Sequence, residues 1–306
     1  MNRRIIYLTN PISGTANKKR VLKAVEDATY SRGIPFEILP TNAGGDYSFI
    51  QEKIYKEGVT DIVLCGGDGT VSQVAGALRG APVQFGIIPL GSGNGLAYAA
   101  KIPKNHLQAL EIIFQGYAAG IDAFFINGRF SCMLCGLGFD AQVAHDFARQ
   151  PTRGLGTYIR QTVSNFFRAK PYPFRITAMG KTFTTEAYFI SIANSNQFGN
   201  QFTIAPQASL NDGLLDIVVV TKMSKLKLLF AVLQQIKRGT VLEFDESISR
   251  QKNVLYFQAD KLQLENPGGA PLHIDGDPAE TGSSMMIEII PNAFKLIQPL
   301  PINTGK

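Results

Sequence analysis

Two glycine-rich turns constrain this chain more than any other feature. Asp61 to Cys65 is an apolar run that leads straight into Gly66-Gly67-Asp68-Gly69-Thr70, and a helix is predicted from there to Arg79. Phe85 to Ile88 leads in the same way into Gly91-Ser92-Gly93-Asn94-Gly95 and another helix. A turn that closes a buried strand and opens a helix belongs to the crossover unit of a parallel sheet. Both turns therefore fall at the carboxyl edge of the strands, where doubly wound sheets bind their ligands. Glycine lets backbone N–H groups approach phosphate oxygens closely, and the helix N-terminus adds a favourable dipole. Neither turn reads G-x-G-x-x-G followed by a suitably placed acid, nor G-x-x-x-x-G-K-[ST], which excludes the dinucleotide and P-loop fingerprints. Asp68 is the informative residue. A carboxylate beside phosphates is repulsive unless it holds Mg²⁺, contacts an amine or ribose, or takes a proton.

The remaining N-terminal residues keep the same rhythm. Strands are predicted at Ile5 to Thr9 and Phe36 to Leu39. Helices are predicted from Asn17 to Tyr30, with Val21, Leu22, Val25 and Ala28 on one face, and from Tyr47 to Lys56 around Phe49, Ile50 and Ile54. Near Gly120 hairpin signals take over: Asn127-Gly128, Met179-Gly180-Lys181, and Asn211-Asp212-Gly213 before Leu214 to Val220. Later strands are predicted at Val254 to Phe257, Lys261 to Leu264 and Met285 to Ile290, with helices near Thr157 to Phe167 and Ser224 to Lys237. The expected organisation is an α/β, doubly wound domain over residues 1–120 and a mainly antiparallel β domain over 121–291. Residues 292–306 are free to return to the first domain.

Composition excludes several classes. Hydrophobic residues at 45% and charged residues at 18% describe an ordered globular chain. A formal charge of +6 is too small to argue for nucleic acid, and no nucleic-acid partner is expected. Three cysteines make no disulfide framework, and no signal peptide opens the chain. Cys132 and Cys135 have C-x-x-C spacing within an apolar run from Phe130 that reads as a strand, where residues three apart face opposite ways; buried structural thiols are expected. No apolar stretch approaches the ~20 residues that span a bilayer, so a cytoplasmic setting is expected. His106, His145 and His273 read as structural.

In order, the motifs resemble the diacylglycerol kinase catalytic-domain superfamily, which includes bacterial lipid kinases, sphingosine kinases and ceramide kinases. Gly66-Gly67-Asp68-Gly69-Thr70 followed by Pro89-Leu90-Gly91-Ser92-Gly93-Asn94 carries the resemblance. It extends over the chain through Asn10-Pro11 with Ser13-Gly14, Thr41, Asp122, Gly136-Leu137-Gly138-Phe139-Asp140-Ala141, Asn211-Asp212-Gly213-Leu214-Leu215-Asp216 and Asp275-Gly276.

The resemblance implies an ATP-dependent lipid kinase, with an N-terminal nucleotide-binding domain and a C-terminal β-sandwich-like lipid domain. Carried over residue by residue, Asn10, Thr41, Gly66, Gly67, Asp68, Gly69, Thr70 and Ser92 would contact ATP. The Asp212 carboxylate with the backbone carbonyls of Ser209 and Leu214 would hold Mg²⁺ or Ca²⁺, an oxygen-only set. Asp277 would be the base, since relatives place a glutamate there, with Asp68 and Asp275 as the other catalytic candidates. The partner would be a lipid at the membrane surface, met peripherally. The stretch Arg160 to Arg175, basic and aromatic together, suits such an interface. A homodimer stays open.

Three departures bear on the substrate. Relatives often place Asn-Glu where this chain has Ser72-Gln73. The second turn continues Gly95-Leu96-Ala97, nearer to sphingosine-type kinases, and the late acid is Asp277. Two alternatives stand beside the kinase reading. One is a soluble NAD kinase-like phosphotransferase; the other is a non-catalytic, nucleotide-dependent lipid-binding protein.

Overall fold

The structure, a computed structural model, describes residues 3–11, 18–150, 155–196, 205–223 and 254–301. Ser13, Gly14 and the helix expected from Ser224 to Lys237 lie outside these residues. The chain forms two units, Met1–Ile121 with Asn292–Lys306, and Asp122–Pro291.

The first unit is built on parallel strands β1 (Ile5–Thr9), β2 (Phe36–Pro40), β3 (Asp61–Gly66) and β4 (Gln84–Pro89), in the order β2-β1-β3-β4. Lys295 and Leu296, near the end of β15 (Ser284–Gln298), add a parallel edge beside β4. The central strands are apolar throughout because both faces are covered. Ile5, Tyr7, Val63 and Cys65 pack against Val21 and Val25 of α1 (Lys18–Tyr30) and Leu110 and Ile113 of α5 (His106–Gln115). Ile6, Leu8, Ile62 and Leu64 alternate to the other face and are equally buried. There Ile50 and Ile54 of α2 (Ser48–Glu57) and Val71 and Val74 of α3 (Asp68–Ala77) are buried, and the Gln51 side chain bonds the Ala77 carbonyl at 3.1 Å. Phe49, expected on the inner face of α2, is exposed; Tyr47 at the helix start is buried instead. After the second glycine turn there are two helices, α4 (Gly95–Ala99) and α5. Asn105 starts α5 anew, its side chain accepting from the Leu107 and Gln108 amides.

The second unit contains β6 (Arg129–Ser131), β7 (Leu134–Gly138), β8 (Tyr172–Ala178), β9 (Lys181–Ala193), β10 (Leu215–Thr221), β11 (Val254–Ala259), β12 (Lys261–Glu265), β13 (Leu272–Ile274) and β14 (Asp277–Ala279). The chain passes between the units within β5 (Tyr117–Ile126) and within β15. β9 belongs to two layers. Its first half pairs with β8, and its second half pairs with β7 and β10 across an irregularity at Val220/Thr221. Alternate residues of both layers, among them Leu137, Ile176, Ile190, Ile217, Leu264, Leu272 and Ile287, close one apolar core. This is the expected β-sandwich.

Two-residue hairpins occur at Asn127-Gly128 and Met179-Gly180, where both residues of each pair have positive φ. A third, at Asp275-Gly276, joins β13 to β14. Asn211-Asp212-Gly213 is a turn ahead of β10 and does not join neighbouring strands directly, because β9 ends at Ala193. The run from Phe130 to Cys135 is not one strand, as expected, but two. β6 stops at Ser131, whose hydroxyl donates to Asp275 Oδ1 at 2.6 Å and accepts from the Met133 amide at 3.3 Å. All three cysteines are buried and free. His145, on α6 (Phe139–Ala148), bonds the Leu272 carbonyl of β13 at 2.8 Å.

Candidate active site

The strand ends of the first unit are in register, with Thr9 opposite both Pro40 and Cys65, and Gly66 opposite Pro89. Asn10, Thr41 and the two glycine turns therefore leave the sheet along one edge. Amide bonds tie them laterally: Asn10 to the Cys65 carbonyl at 3.3 Å, Thr41 to Thr9 at 3.0 Å, and Leu90 to Gly66 at 2.9 Å. The Asn10 side chain donates to the buried Thr70 hydroxyl at 3.1 Å. Gly69 and Ser92 are exposed at this edge.

The two turns touch. A Cβ added to Gly91 would sit 2.5 Å from the Gly67 Cα, so neither position tolerates a side chain without separating the loops. Asn94, in the left-handed region at φ 55°, closes the second turn by bonding Gly91 through both its amide oxygen and its amide nitrogen, each at 2.8 Å. Asp68 spans the turns as well, its Oδ1 accepting from the Leu96 amide at 3.3 Å. Burial raises its carboxyl above the ordinary value, against the opposing pull of the Gly95, Leu96 and Asn94 amides. Gly91→Ala is expected to destabilise the protein by about 1–3 kcal/mol, the usual cost of overpacking a close contact. A parent-like urea midpoint would show that the turns can part freely.

One neighbour was not singled out from the sequence. Lys18, in the first turn of α1, donates to the Asn10 carbonyl, and burial lowers its pKa. The signal was there in Lys18-Lys19-Arg20: cations at a helix N-terminus oppose the macrodipole and call for a local reason. Gln73, one of the departures noted in the sequence, accepts from the Tyr47 hydroxyl at 3.2 Å.

In the second unit Asp275 is an anchor. Its Oδ1 accepts from the Ser131 hydroxyl and from the Leu134 amide at 3.2 Å, and its own amide donates to the Leu134 carbonyl at 2.9 Å. Asp277 follows the turn as the first residue of β14 and is exposed. The Asp212 turn is held by the buried Asp122, whose Oδ2 accepts from the Gly213 amide at 2.7 Å, while the Asp122 amide donates to the Leu210 carbonyl at 2.7 Å. Asp212 Oδ1 accepts from the Leu214 amide at 3.1 Å, and the Ser209 hydroxyl donates to Asn211 at 3.1 Å. Burial first, and then the negative charge of Asp122, raise the Asp212 carboxyl above its ordinary value. A cation would relieve that repulsion, and one carboxylate with two carbonyls fits a hard ion such as Mg²⁺ or Ca²⁺. Among the described residues no group of three or more His, Cys, Asp or Glu side chains forms a metal cluster.

Asp216, fully buried on β10, is pushed up to about 7 by burial, with the Asp212 charge adding to the effect against the Gln258 hydrogen bonds. The folded chain therefore keeps a proton that the unfolded chain releases near pH ~3.9. Stability from this group is full below that pH and is lost as pH rises toward about 7. In chelator, Asp216→Asn is expected to gain on the parent as pH rises from 4.5 to 7.5. Parallel melting curves for the two proteins would refute this.

Residues 4–126 match the diacylglycerol kinase catalytic domain, and residues 134–298 match the YegS C-terminal NAD kinase beta sandwich-like domain. The chain belongs to this lipid-kinase family. It is similar to a "Probable lipid kinase YegS-like" of Shewanella frigidimarina, 29% identical over 262 residues, covering 82% of this chain and 80% of the relative. A protein of the same name from Yersinia pestis is 27% identical over 303 residues, covering 96% of each. A solved structure of a diacylglycerol kinase from Bacillus anthracis shares the fold, with a TM-score of 0.72 over 97% of each chain at 21% identity.

Proposed function

We propose that this family member is an ATP-dependent lipid kinase that phosphorylates a hydroxyl of a membrane lipid of the diacylglycerol or long-chain-base class. The observation that carries the reading is the convergence of Asn10, Thr41 and two touching glycine turns on one sheet edge, with Asp68 lodged against the second turn. The close backbone approach is a cradle that a Cβ would fill, which fits a polyphosphate.

Bound ATP supplies the transferable phosphoryl group, and its Mg²⁺ neutralises charge. The chain's task is positioning, electrostatic stabilisation and proton removal. The backbones of Gly66–Thr70 and Gly91–Gly95 bind phosphate oxygens, and Asn10 fixes the Thr70 hydroxyl. Asp68 orients the metal or the acceptor. Asp277 takes the proton of the attacking lipid hydroxyl, and Asp275 holds the turn that carries it. The acceptor approaches from the membrane surface. In the stretch that would meet it, Arg160, Arg168, Lys170 and Arg175 are exposed, whereas Phe174 is buried in the sandwich core. Contact there is electrostatic, and it should weaken with salt. Among the described residues no helix is long and apolar enough to cross a membrane.

Labelled ATP offered with diacylglycerol, sphingosine, ceramide, a polyprenol and NAD tests the reading. Label entering a lipid supports it; label in NAD alone, or nucleotide-dependent lipid binding without turnover, overturns it. In the same reading the Asp212 site holds a stabilising cation. The parent is expected to melt several degrees lower in chelator than in Mg²⁺ or Ca²⁺, and Asp212→Ala to abolish the difference. Identical parent melting curves with and without chelator would remove the cation from the proposal.

A further inference from the structure

Beside the hairpin that carries Asp277 lies a buried polar pair that the mechanism above leaves unused. His273 on β13 is fully buried and sits opposite Gly136 of β7 in the sheet register. Its Nδ1 accepts from the Gly276 amide at 3.3 Å. A ring nitrogen that accepts a hydrogen bond carries no proton, so in the neutral ring the proton is on Nε2. Nε2 faces Asp140 Oδ2 at 3.4 Å. Asp140 lies in the first turn of α6, where a carboxylate is favoured, and its Oδ1 accepts from the Ala141 amide at 2.8 Å. Gly136 makes the room. A Cβ there would come 2.1 Å from Asp140 Oδ2 and 2.6 Å from His273 Nε2.

These contacts form a line from the α6 N-terminus through Asp140 and His273 to the Gly276 amide, and Asp277 is the next residue. The first residue of the turn, Asp275, is fixed by its own carboxylate, but Gly276 has no side chain with which to fix itself. Burying a His–Asp pair costs desolvation that a well-packed apolar residue would avoid, so the pair is weak as a stability device. Its geometry is suited to holding one amide in place.

We infer that His273, oriented by Asp140, is a positioning residue that sets the Gly276–Asp277 peptide and thereby the aim of the Asp277 carboxylate. The inference rests on the reading of Asp277 as the base. His273 itself is too deeply buried to meet a lipid hydroxyl.

The test uses the full chain, labelled ATP, and dioctanoylglycerol or sphingosine in detergent micelles. His273→Leu is expected to lower kcat by on the order of 10²-fold, as misplacement of a reacting group does, with KM for ATP unchanged. His273→Asn, whose Oδ1 stands where Nδ1 stood, is expected to recover most of that loss. In an Asp277→Asn background His273→Leu should cost nothing more, because the two act as one unit. Hydrogen exchange of the Gly276 amide should accelerate in His273→Leu and Asp140→Asn and stay slow in His273→Asn. If His273→Leu does not fold, Asp140→Asn and His273→Asn decide by the same readouts. Parent-like kcat in His273→Leu beside an inactive Asp277→Asn would overturn the positioning role alone. So would an additive loss in the double variant, or unchanged Gly276 exchange in a folded His273→Leu. A fully active Asp277→Asn would instead overturn the base assignment beneath it.

Discussion

Asp277→Asn is expected to lower kcat by about 10²–10⁴-fold, the usual contribution of a general base, with the melting temperature and ATP affinity close to the parent's. The side chain is exposed at the start of β14, so exchanging its acid for an amide removes little packing. The phosphates are assigned to the first unit, so nucleotide binding should not register the change. Asp277→Glu keeps the acid, as the glutamate that the family resemblance puts there would, and should keep substantial activity. Asp275 is the internal control. Its carboxylate receives the Ser131 hydroxyl and the Leu134 amide, so Asp275→Asn should lose stability together with rate. Steady-state kinetics with thermal melts of the three variants separate these roles. A fully active Asp277→Asn enzyme would reject the assignment and make Asp68 the leading candidate.

Asp68→Asn is expected to bring turnover to background with almost no change in melting temperature. The asparagine keeps an oxygen where Oδ1 accepts from the Leu96 amide, so the link between the turns survives while the charge is lost. Asp68→Ala removes charge and acceptor together. It should lose activity and also about 0.5–2 kcal/mol of stability, as when an N-terminal amide acceptor is deleted. Single-turnover assays with urea melts of both variants check this. Near-normal kcat in Asp68→Asn would end the catalytic reading of the first turn.

The glycine turns, the alternation of apolar strands and helices, and the Asn-Gly and Met-Gly hairpins were legible along the chain because they are local. A positive-φ pair, a buried strand and a helix start each declare themselves within a few residues. The C-x-x-C run was read correctly as buried thiols, but as a single strand it misled for the same reason. Nothing near Cys132 shows that the Ser131 hydroxyl is drawn to Asp275, far along the chain, and breaks the strand. Phe49 misled because helical periodicity gives a face, while the neighbours decide how wide that face is.

The order of motifs from Asn10 to Asp277 and their place at strand ends are written in the sequence by itself. That order pointed to two domains and to the candidate nucleotide edge. Only the tertiary structure decided what each acid touches. Asp68 rests on the second turn's amides, Asp275 on β6 and β7, Asp122 on the Asp212 turn, and Asp140 against a buried histidine. Carboxylates look alike in a sequence. What separates an anchor from a base is burial and hydrogen-bond partners, and both are contributed by residues that the chain brings together only on folding.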